Sequence, residues 1–204
     1  FEVVSGSVSS LTDPNLAPLS VQQIRASIVN ARTATLDLDS VYDAPAPRDG
    51  EQMVVGKVTP LGGTTVPILR PPGKTDDNDL PREPRQTDPQ RDRAALIGDP
   101  RNDENTIVAQ LHTAFLRAHN ALVGQGKTFD EARILLRRHY QWMVINDFLK
   151  RIADPKIVNR VKKANQVYKP NDYSFFMPLE FTVGAFRFGH TMVRKEYNFN
   201  LNFN

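Results

Sequence analysis

The sequence contains no cysteine, and this absence excludes two kinds of structure. A chain without thiols forms no disulfides and binds no metal through thiolates, and its cysteine usage says nothing about the compartment in which it works. It also lacks any stretch near the roughly 20 apolar residues of a membrane-spanning helix. The first five residues, 1–5, have neither an initiating Met nor the pattern of a signal peptide, so we expect the natural chain to extend beyond them.

Neither sign of charge is in large excess: the sequence has 26 basic and 23 acidic residues, which gives a net charge of +3. Much of the basic excess lies in residues 133–163, where few acids accompany the Lys and Arg side chains. Such a run could contact nucleic acid, but no Gly-rich binding motif accompanies it. We interpret it as a solvated helix face and expect no nucleic-acid partner.

The proline distribution divides the chain of 204 residues, which is long enough for one domain or part of one. Nine of the 15 prolines fall within residues 43–93, among polar runs that cannot sustain a helix. We expect a long irregular surface excursion there. Residues 53–58 and 64–69 flank a Gly62-Gly63 turn, so at most a short β-hairpin is predicted.

Helical periodicity dominates the rest of the sequence and predicts a mainly α fold. After Pro100, one apolar stripe is predicted from Glu104, Val108, Leu111, Phe115, Ala118 and Leu122. Thr128 to Glu131 has the form of a capping box before a long helix over 132–152. Further helices are predicted over 21–30, over 156–164, and from Pro178 towards Tyr197.

A histidine lies on the apolar stripe of that last helix. The stripe consists of Leu179, Val183, Phe186, His190 and Val193. A His in this position is more often a buried, hydrogen-bonded core residue than a ligand. However, Gly189 leaves room for a flat partner and Arg187 could hold a carboxylate, a combination that suits haem. Spacing alone leaves both interpretations open.

A second candidate site is the turn over residues 98–104, which brings Arg101 and Glu104 to the start of a helix. A purely structural explanation is an Asp-Pro turn whose acidic residues favour the helix dipole. The functional alternative uses Arg101. A fixed guanidinium over a metal-bound peroxide would stabilise the negative charge that develops as the O–O bond breaks.

A third candidate is the run over residues 33–39, in which polar side chains alternate with apolar ones. A half-exposed strand explains this alternation. A calcium loop explains it equally, because Ca²⁺ binds several carboxylate, hydroxyl and carbonyl oxygens.

The two histidines of the helix after Pro100, His112 and His119, are seven positions apart and could in principle bind a metal together.

Four separated motifs in one order resemble the animal haem peroxidases of the peroxidase and cyclooxygenase superfamily, with a bacterial-like character. The motifs are Thr35 to Tyr42, Gly98 to Arg101 together with Leu111 to Asn120, Tyr140 to Leu149, and Ala185 to Thr191. The resemblance spans nearly the whole chain, although the Pro-rich stretch adds little. It implies that residues 1–204 are part of one catalytic domain of that helical fold, with 94–204 as the haem-binding portion.

The resemblance also implies residue roles, with haem b and calcium as cofactors. His190 would be the proximal ligand of the haem iron, Arg101 the distal-side arginine that acts on peroxide, and Arg187 the partner of a haem propionate. Glu104 matches an acid that some members esterify to a haem methyl, while Asn105 stands where others carry a haem-linked Met, which excludes a sulfonium bond. Thr33, Thr35, Asp37 and Asp39 match the calcium loop. Both His112 and His119 belong to a structural helix signature.

The activity implied is oxidation of a small-molecule or lipid donor by hydrogen peroxide through an iron–oxo haem, as in the response to oxidative stress. The family's distal histidine should precede the calcium loop, but no His precedes His112, so we expect a central fragment of a larger enzyme. A fatty-acid dioxygenase of the cyclooxygenase-like branch and a non-catalytic binding module are the alternatives. The resemblance slightly favours a secreted or extracellular location, and the oligomeric state is unknown.

Overall fold

The computed structural model describes Ser20 and residues 35–58, 77–164 and 179–197. These residues fall into two compact units, one formed by 36–162 and the other including 179–197. The helix predicted over 21–30 and the hairpin arm predicted over 64–69 lie outside the described residues. Within the described ranges, no helix combines the length and apolar character needed to cross a membrane.

The described elements confirm a mainly α fold. In chain order they are α1 (Asp39–Tyr42), β1 (Arg48–Asp49), β2 (Gln52–Met53), a 3₁₀ turn (Pro100–Asp103), α2 (Thr106–Gly124), α3 (Phe129–Met143), a π turn (Val144–Phe148), α4 (Leu149–Ile152), α5 (Pro155–Lys163), α6 (Leu179–Val183) and a 3₁₀ helix (Ala185–Met192). The β1 and β2 strands pair in antiparallel register, Arg48 opposite Met53, around Gly50 in the left-handed region at φ 59°. This hairpin precedes the one predicted around Gly62-Gly63.

Helix α2 forms where its periodicity predicts, but its most buried positions are shifted from the predicted stripe. The side chain of Asn105 caps it by accepting a 3.0 Å hydrogen bond from the Val108 N–H. The buried positions are Ala109, His112, Thr113, Leu116 and His119. Leu111, which the predicted stripe contains, is 58% exposed. The prediction was right in part, because Phe115, Ala118 and Leu122 of the stripe pack against the core. Apolar periodicity did not reveal that polar side chains, among them His112 and His119, occupy buried positions.

The capping box at the start of α3 is confirmed. The Thr128 hydroxyl accepts from the Glu131 N–H at 3.3 Å, and the Glu131 carboxylate accepts from the Thr128 N–H at 3.0 Å. The helix begins at Phe129. It does not continue as a regular α-helix to Ile152, because the π turn interrupts it after Met143. Neither Pro nor Gly marks this interruption, so the sequence pattern gives no signal of it.

The core of the larger unit draws on the Pro-rich stretch, which is therefore more than a surface excursion. Met53 and Leu80 are 3% and 1% exposed, and they join α1, α2 and α3 in one apolar cluster. A two-way backbone bridge links Gly56 and Asp79, with N···O distances of 2.8 and 3.0 Å. Asn120 of α2 holds the Met53 backbone on both its N–H and its carbonyl, at 2.7 and 2.8 Å.

The described part of the second unit departs from the predicted helix over 178–197. The α6 helix ends at Val183, and Gly184 takes φ −115° and ψ −82° before the 3₁₀ helix begins. The predicted common apolar face is therefore lost, because a 3₁₀ helix has three residues per turn and rotates the side chains relative to those of an α-helix. Val183, Phe186 and Val193 are 60%, 66% and 69% exposed.

Candidate active site

Arg101 lies in the 3₁₀ turn that precedes α2, and Asp99 holds it. The Asp99 carboxylate accepts from the Arg101 backbone N–H at 3.1 Å and caps the turn, in which Pro100 occupies the first position. The same carboxylate accepts from Nε at 2.9 Å and from Nη2 at 2.6 Å. The Asp99 side chain is 11% exposed, whereas that of Arg101 is 56% exposed. A buried anion therefore orients a cation whose outer edge reaches solvent.

Glu104 follows this turn with an exposed side chain, directly before the residue that caps α2. Its backbone N–H donates to the Arg101 carbonyl at 3.3 Å, which keeps Glu104 in the same turn as Arg101. Sequence analysis predicted that Arg101 and Glu104 lie together at the start of a helix, and the structure places both of them at the turn before α2.

Two residues outside this turn, His112 and Arg82, hold it in place, and sequence analysis assigned neither of them to the site. Asn102 donates through its amide nitrogen to Nδ1 of His112 at 3.0 Å. Asp103 accepts from Arg82 at 2.6 and 2.8 Å. Burial lowers the pKa of His112, and Nε2 of this imidazole has no hydrogen-bond partner among the described residues. Only the Asp-Pro turn could have signalled Asp99, and no local pattern pointed to Arg82.

The run predicted to bind calcium leads into α1. Thr33 lies outside the described residues, while Thr35, Asp37 and Asp39 lie inside them. No residue of 35–39 belongs to a strand, so the strand alternative is wrong for these positions. Leu38 adopts the left-handed region at φ 56°, and one oxygen of Asp39 accepts from the Ser40 N–H at 2.8 Å.

Two carbonyls of this run accept hydrogen bonds from α3. Arg137 donates to the carbonyl of Asp37, and Gln141 donates to that of Leu36 at 3.0 Å. The carboxylates and hydroxyls are of the chemical type that Ca²⁺ prefers. Among the described residues, however, no group of three or more His, Cys, Asp or Glu is arranged to hold a metal. Calcium therefore stays a prediction.

The structure brings the end of this run beside the turn that carries Arg101. The Gly98 N–H donates to the Ser40 carbonyl at 3.2 Å. A Cβ atom added to Gly98 would lie only 2.8 Å from the Asp39 carbonyl oxygen and 3.0 Å from Cβ of Asp43. The close approach of the two segments therefore requires glycine at this position.

His190 and Arg187 lie in the 3₁₀ helix of the second unit, and both are exposed. The interpretation of His190 as a buried, hydrogen-bonded core residue is therefore wrong for the described structure. A Cβ atom added to Gly189 would meet nothing within 4 Å. An accessible imidazole beside open space, with a cation three positions earlier, is a donor set that fits haem.

His112 and His119 do not act together. His119 is fully buried, and its two ring nitrogens lie 3.0 Å from the Tyr42 hydroxyl and 3.1 Å from the Glu51 carbonyl oxygen. His112 is bonded instead to Asn102. The two rings, about two turns apart on α2, thus make separate contacts, as a structural role implies.

Comparison with known proteins identifies the family of the chain. The family model for "Animal haem peroxidase" matches residues 17–203. The chain is 31% identical over 108 residues to a peroxidasin homologue of Caenorhabditis elegans, covering 48% of this chain and 8% of that protein. It is 28% identical over 121 residues to myeloperoxidase of Mus musculus (52% and 16%), and 25% identical over 185 residues to thyroid peroxidase of Homo sapiens (81% and 19%).

The mainly helical structure of the described residues is consistent with the helical fold of that family. The chain belongs to the animal haem peroxidase family. It spans less than a fifth of the length of the relatives it matches.

Proposed function

We propose that the gene product containing this chain is a haem-dependent peroxidase that oxidises a donor with hydrogen peroxide. The observation that carries the proposal is the pairing of Arg101 with buried Asp99 in a chain of the animal haem peroxidase family. Haem, when bound, supplies the iron that reacts with peroxide and passes on its oxidising power. The family resemblance also favours a secreted or extracellular location.

Arg101 supplies positive charge where peroxide is cleaved. As the O–O bond breaks, negative charge grows on the departing oxygen, and a fixed guanidinium stabilises that charge more than it stabilises neutral peroxide. Asp99 keeps the guanidinium from reorienting, so the charge is in place before the reaction. The half-exposed side chain of Arg101 leaves it accessible to a small molecule.

In the second unit, His190 would bind the haem iron and Arg187 would pair with a propionate. A neutral imidazole is a common ligand of haem iron, and a guanidinium can bind a carboxylate through two parallel hydrogen bonds. The exposed carboxylate of Glu104 would form the ester to a haem methyl. Thr33, Thr35, Asp37 and Asp39 would bind calcium through oxygen atoms.

The role of Arg101 is tested by the rate at which the haem-loaded full gene product reacts with hydrogen peroxide. Arg101→Ala should keep its haem and react much more slowly, by about 100-fold, because one preorganised charge partner is lost. Arg101→Lys should recover only part of the rate, since an ammonium cannot bind Asp99 in the same fork. The exposed Arg138 is the control, and Arg138→Ala should react at the unaltered rate. An unaltered rate in Arg101→Ala would remove Arg101 from the mechanism.

The role of His190 is tested by Soret absorption of the reconstituted protein. His190→Ala should lose the spectrum of the imidazole-bound iron, whereas His139→Ala, which removes an exposed histidine of α3, should not. Unchanged iron coordination in His190→Ala would reject the assignment. For calcium, Asp37→Ala should reduce the calcium found by elemental analysis, and unchanged metal content would reject the loop as the site.

A further inference from the structure

Arg82, in the Pro-rich stretch, uses all five N–H donors of its guanidinium. Nε donates to Asp79 at 2.8 Å, and Nη2 donates to Asp79 at 3.0 Å and to Asp103 at 2.8 Å. Nη1 donates to Asp103 at 2.6 Å and to the Arg93 carbonyl at 3.2 Å. The Arg82 side chain is 22% exposed. A guanidinium with no spare donor is fixed in a single orientation.

The two carboxylates hold Arg82 between two parts of the chain. Asp79 belongs to the Pro-rich stretch, where its backbone is bridged to Gly56. Asp103 is the last residue of the turn that carries Arg101. The hydrogen bonds that Arg82 donates to Asp103, and next those that it donates to Asp79, raise the pKa of Arg82 above its usual value. The ion pair therefore ties the turn to a segment that contributes Leu80 to the core.

The turn that carries Arg101 is thus held by three sets of side-chain hydrogen bonds. Asp99 binds the Arg101 guanidinium, Asn102 is bonded to His112 of α2, and Asp103 is bonded to Arg82. A 3₁₀ turn of four residues has few backbone hydrogen bonds of its own, so side-chain contacts decide where it lies.

We propose that Arg82 is a positioning residue for Arg101: through Asp103 it fixes the turn from which the Arg101 guanidinium meets peroxide. This inference rests on the proposed role of Arg101. It assigns a part in the reaction to the Pro-rich stretch, in which sequence analysis found none. Arg82 touches neither peroxide nor haem in this scheme and acts only through the backbone of the turn.

The test compares four haem-loaded full-length proteins: wild type, Arg82→Met, Arg101→Ala and the double variant. The quantity measured is the second-order rate constant for hydrogen peroxide, at equal haem content and with the Soret spectrum checked. A catalytic group that is displaced from its productive position reacts much more slowly, so we expect Arg82→Met to react about 10-fold more slowly than wild type. In the Arg101→Ala background, removal of Arg82 should cause no further slowing. A merely structural role would slow both backgrounds by the same factor.

Three further variants sharpen the comparison. Asp103→Asn removes the charge on the other side of the pair at constant size, and it should slow the reaction as Arg82→Met does. If Arg82→Met does not fold, Asp103→Asn replaces it in the comparison with wild type and Arg101→Ala. Arg82→Lys keeps the positive charge but not the planar, two-pronged donor geometry of the guanidinium, so its rate constant should lie between those of wild type and Arg82→Met. The control is Arg91→Met, which breaks the exposed Arg91–Glu83 pair of 3.5 Å in the same stretch and should leave the rate unchanged.

The outcomes separate the two proposals. If Arg101→Ala is slow while Arg82→Met and Asp103→Asn react at the wild-type rate, the positioning role of Arg82 is wrong and that of Arg101 stands. Equal slowing by Arg82→Met in both backgrounds likewise overturns positioning. If Arg101→Ala itself reacts at the wild-type rate, both proposals fall, since Arg82 then has no catalytic group to position.

Discussion

The hydroxyl of Tyr42 lies 3.0 Å from Nδ1 of His119, joining α1 to α2 across 77 positions of the sequence. On the other side of the imidazole, Nε2 lies 3.1 Å from the Glu51 carbonyl oxygen. A carbonyl can only accept, so Nε2 carries the proton and Nδ1 accepts from the phenol. Burial raises the pKa of Tyr42 to about 12, which keeps that phenol protonated as a donor. His119 thereby connects α1, the segment of Glu51 and α2.

Replacement of Tyr42 by Phe should destabilise the protein. It leaves the ring packing of Tyr42 in place but strips Nδ1 of His119 of its donor, and an unsatisfied buried acceptor costs about 1–3 kcal/mol. The matched control is Tyr140→Phe, because the Tyr140 ring packs edge-on against Phe115 while its hydroxyl has no hydrogen-bond partner among the described residues. Urea unfolding should show a lower free energy of unfolding for Tyr42→Phe alone. Equal losses in the two variants would mean that the hydroxyl of Tyr42 is not what stabilises α1.

Stability should fall as the pH is lowered below neutrality. Burial lowers the pKa of both His112 and His119 from the ordinary value of 6.5, so the unfolded state takes up protons at a higher pH than the folded state does. The contribution of each group is complete above 6.5 and is lost as the pH falls from there through the lowered folded value. Each contributes a slope of at most about 1.4 kcal/mol per pH unit.

The measurement is the free energy of unfolding in urea at a series of pH values from neutral to about pH 5, the range in which histidine titrates. His119→Gln and His112→Gln should each reduce the slope. The exposed His139 provides the control, and His139→Gln should leave the slope as it is in the wild type. A slope that survives in both buried-histidine variants would assign the pH dependence to other groups.

Sequence analysis predicted those features that depend on neighbours in the chain. The capping box is one, because Thr128 and Glu131 satisfy each other's backbone within a single turn. The existence of α2 and α5 is another, because periodicity and flanking Pro or Gly residues are local signals. By contrast, the buried face of α2 depends on contacts made by residues outside the helix. His112 and His119 are buried because Asn102 and Tyr42 meet them.

The candidate site follows the same division. The turn with Arg101 and Glu104 could be read from the Asp-Pro motif, and the capping role of Asp99 is local. The pairing of Arg82 with Asp103 joins residues 21 positions apart and has no periodic or motif signal. The change from α6 to a 3₁₀ helix also went unpredicted, because the apolar spacing of that segment suits a continuous α-helix equally well.

Loss of the Thr128 cap should weaken the start of α3. In Thr128→Ala the Glu131 N–H loses its acceptor, and removal of such a cap typically costs about 1 kcal/mol. Thr128→Ser keeps the hydroxyl and should be close to wild type in urea unfolding. If the Ala and Ser variants are equally stable, the hydroxyl does not cap the helix in solution.

Among Gly→Ala substitutions at the described glycines, Gly56→Ala should lower the free energy of unfolding most. The added Cβ would lie 2.0 Å from the Leu80 carbonyl oxygen and 2.6 Å from its carbonyl carbon, and a backbone cannot move aside as a flexible side chain can. The bridge between Gly56 and Asp79 would have to open, with Leu80 shifting in the core. Overpacking of this kind costs about 1–3 kcal/mol, and we expect the upper end here. Gly124→Ala adds the same methyl at the end of α2, where nothing lies within 4 Å, and should be neutral or slightly stabilising in the same unfolding measurement. Similar stability of the two variants would show that the segments of Gly56 and Leu80 are not in close contact in solution.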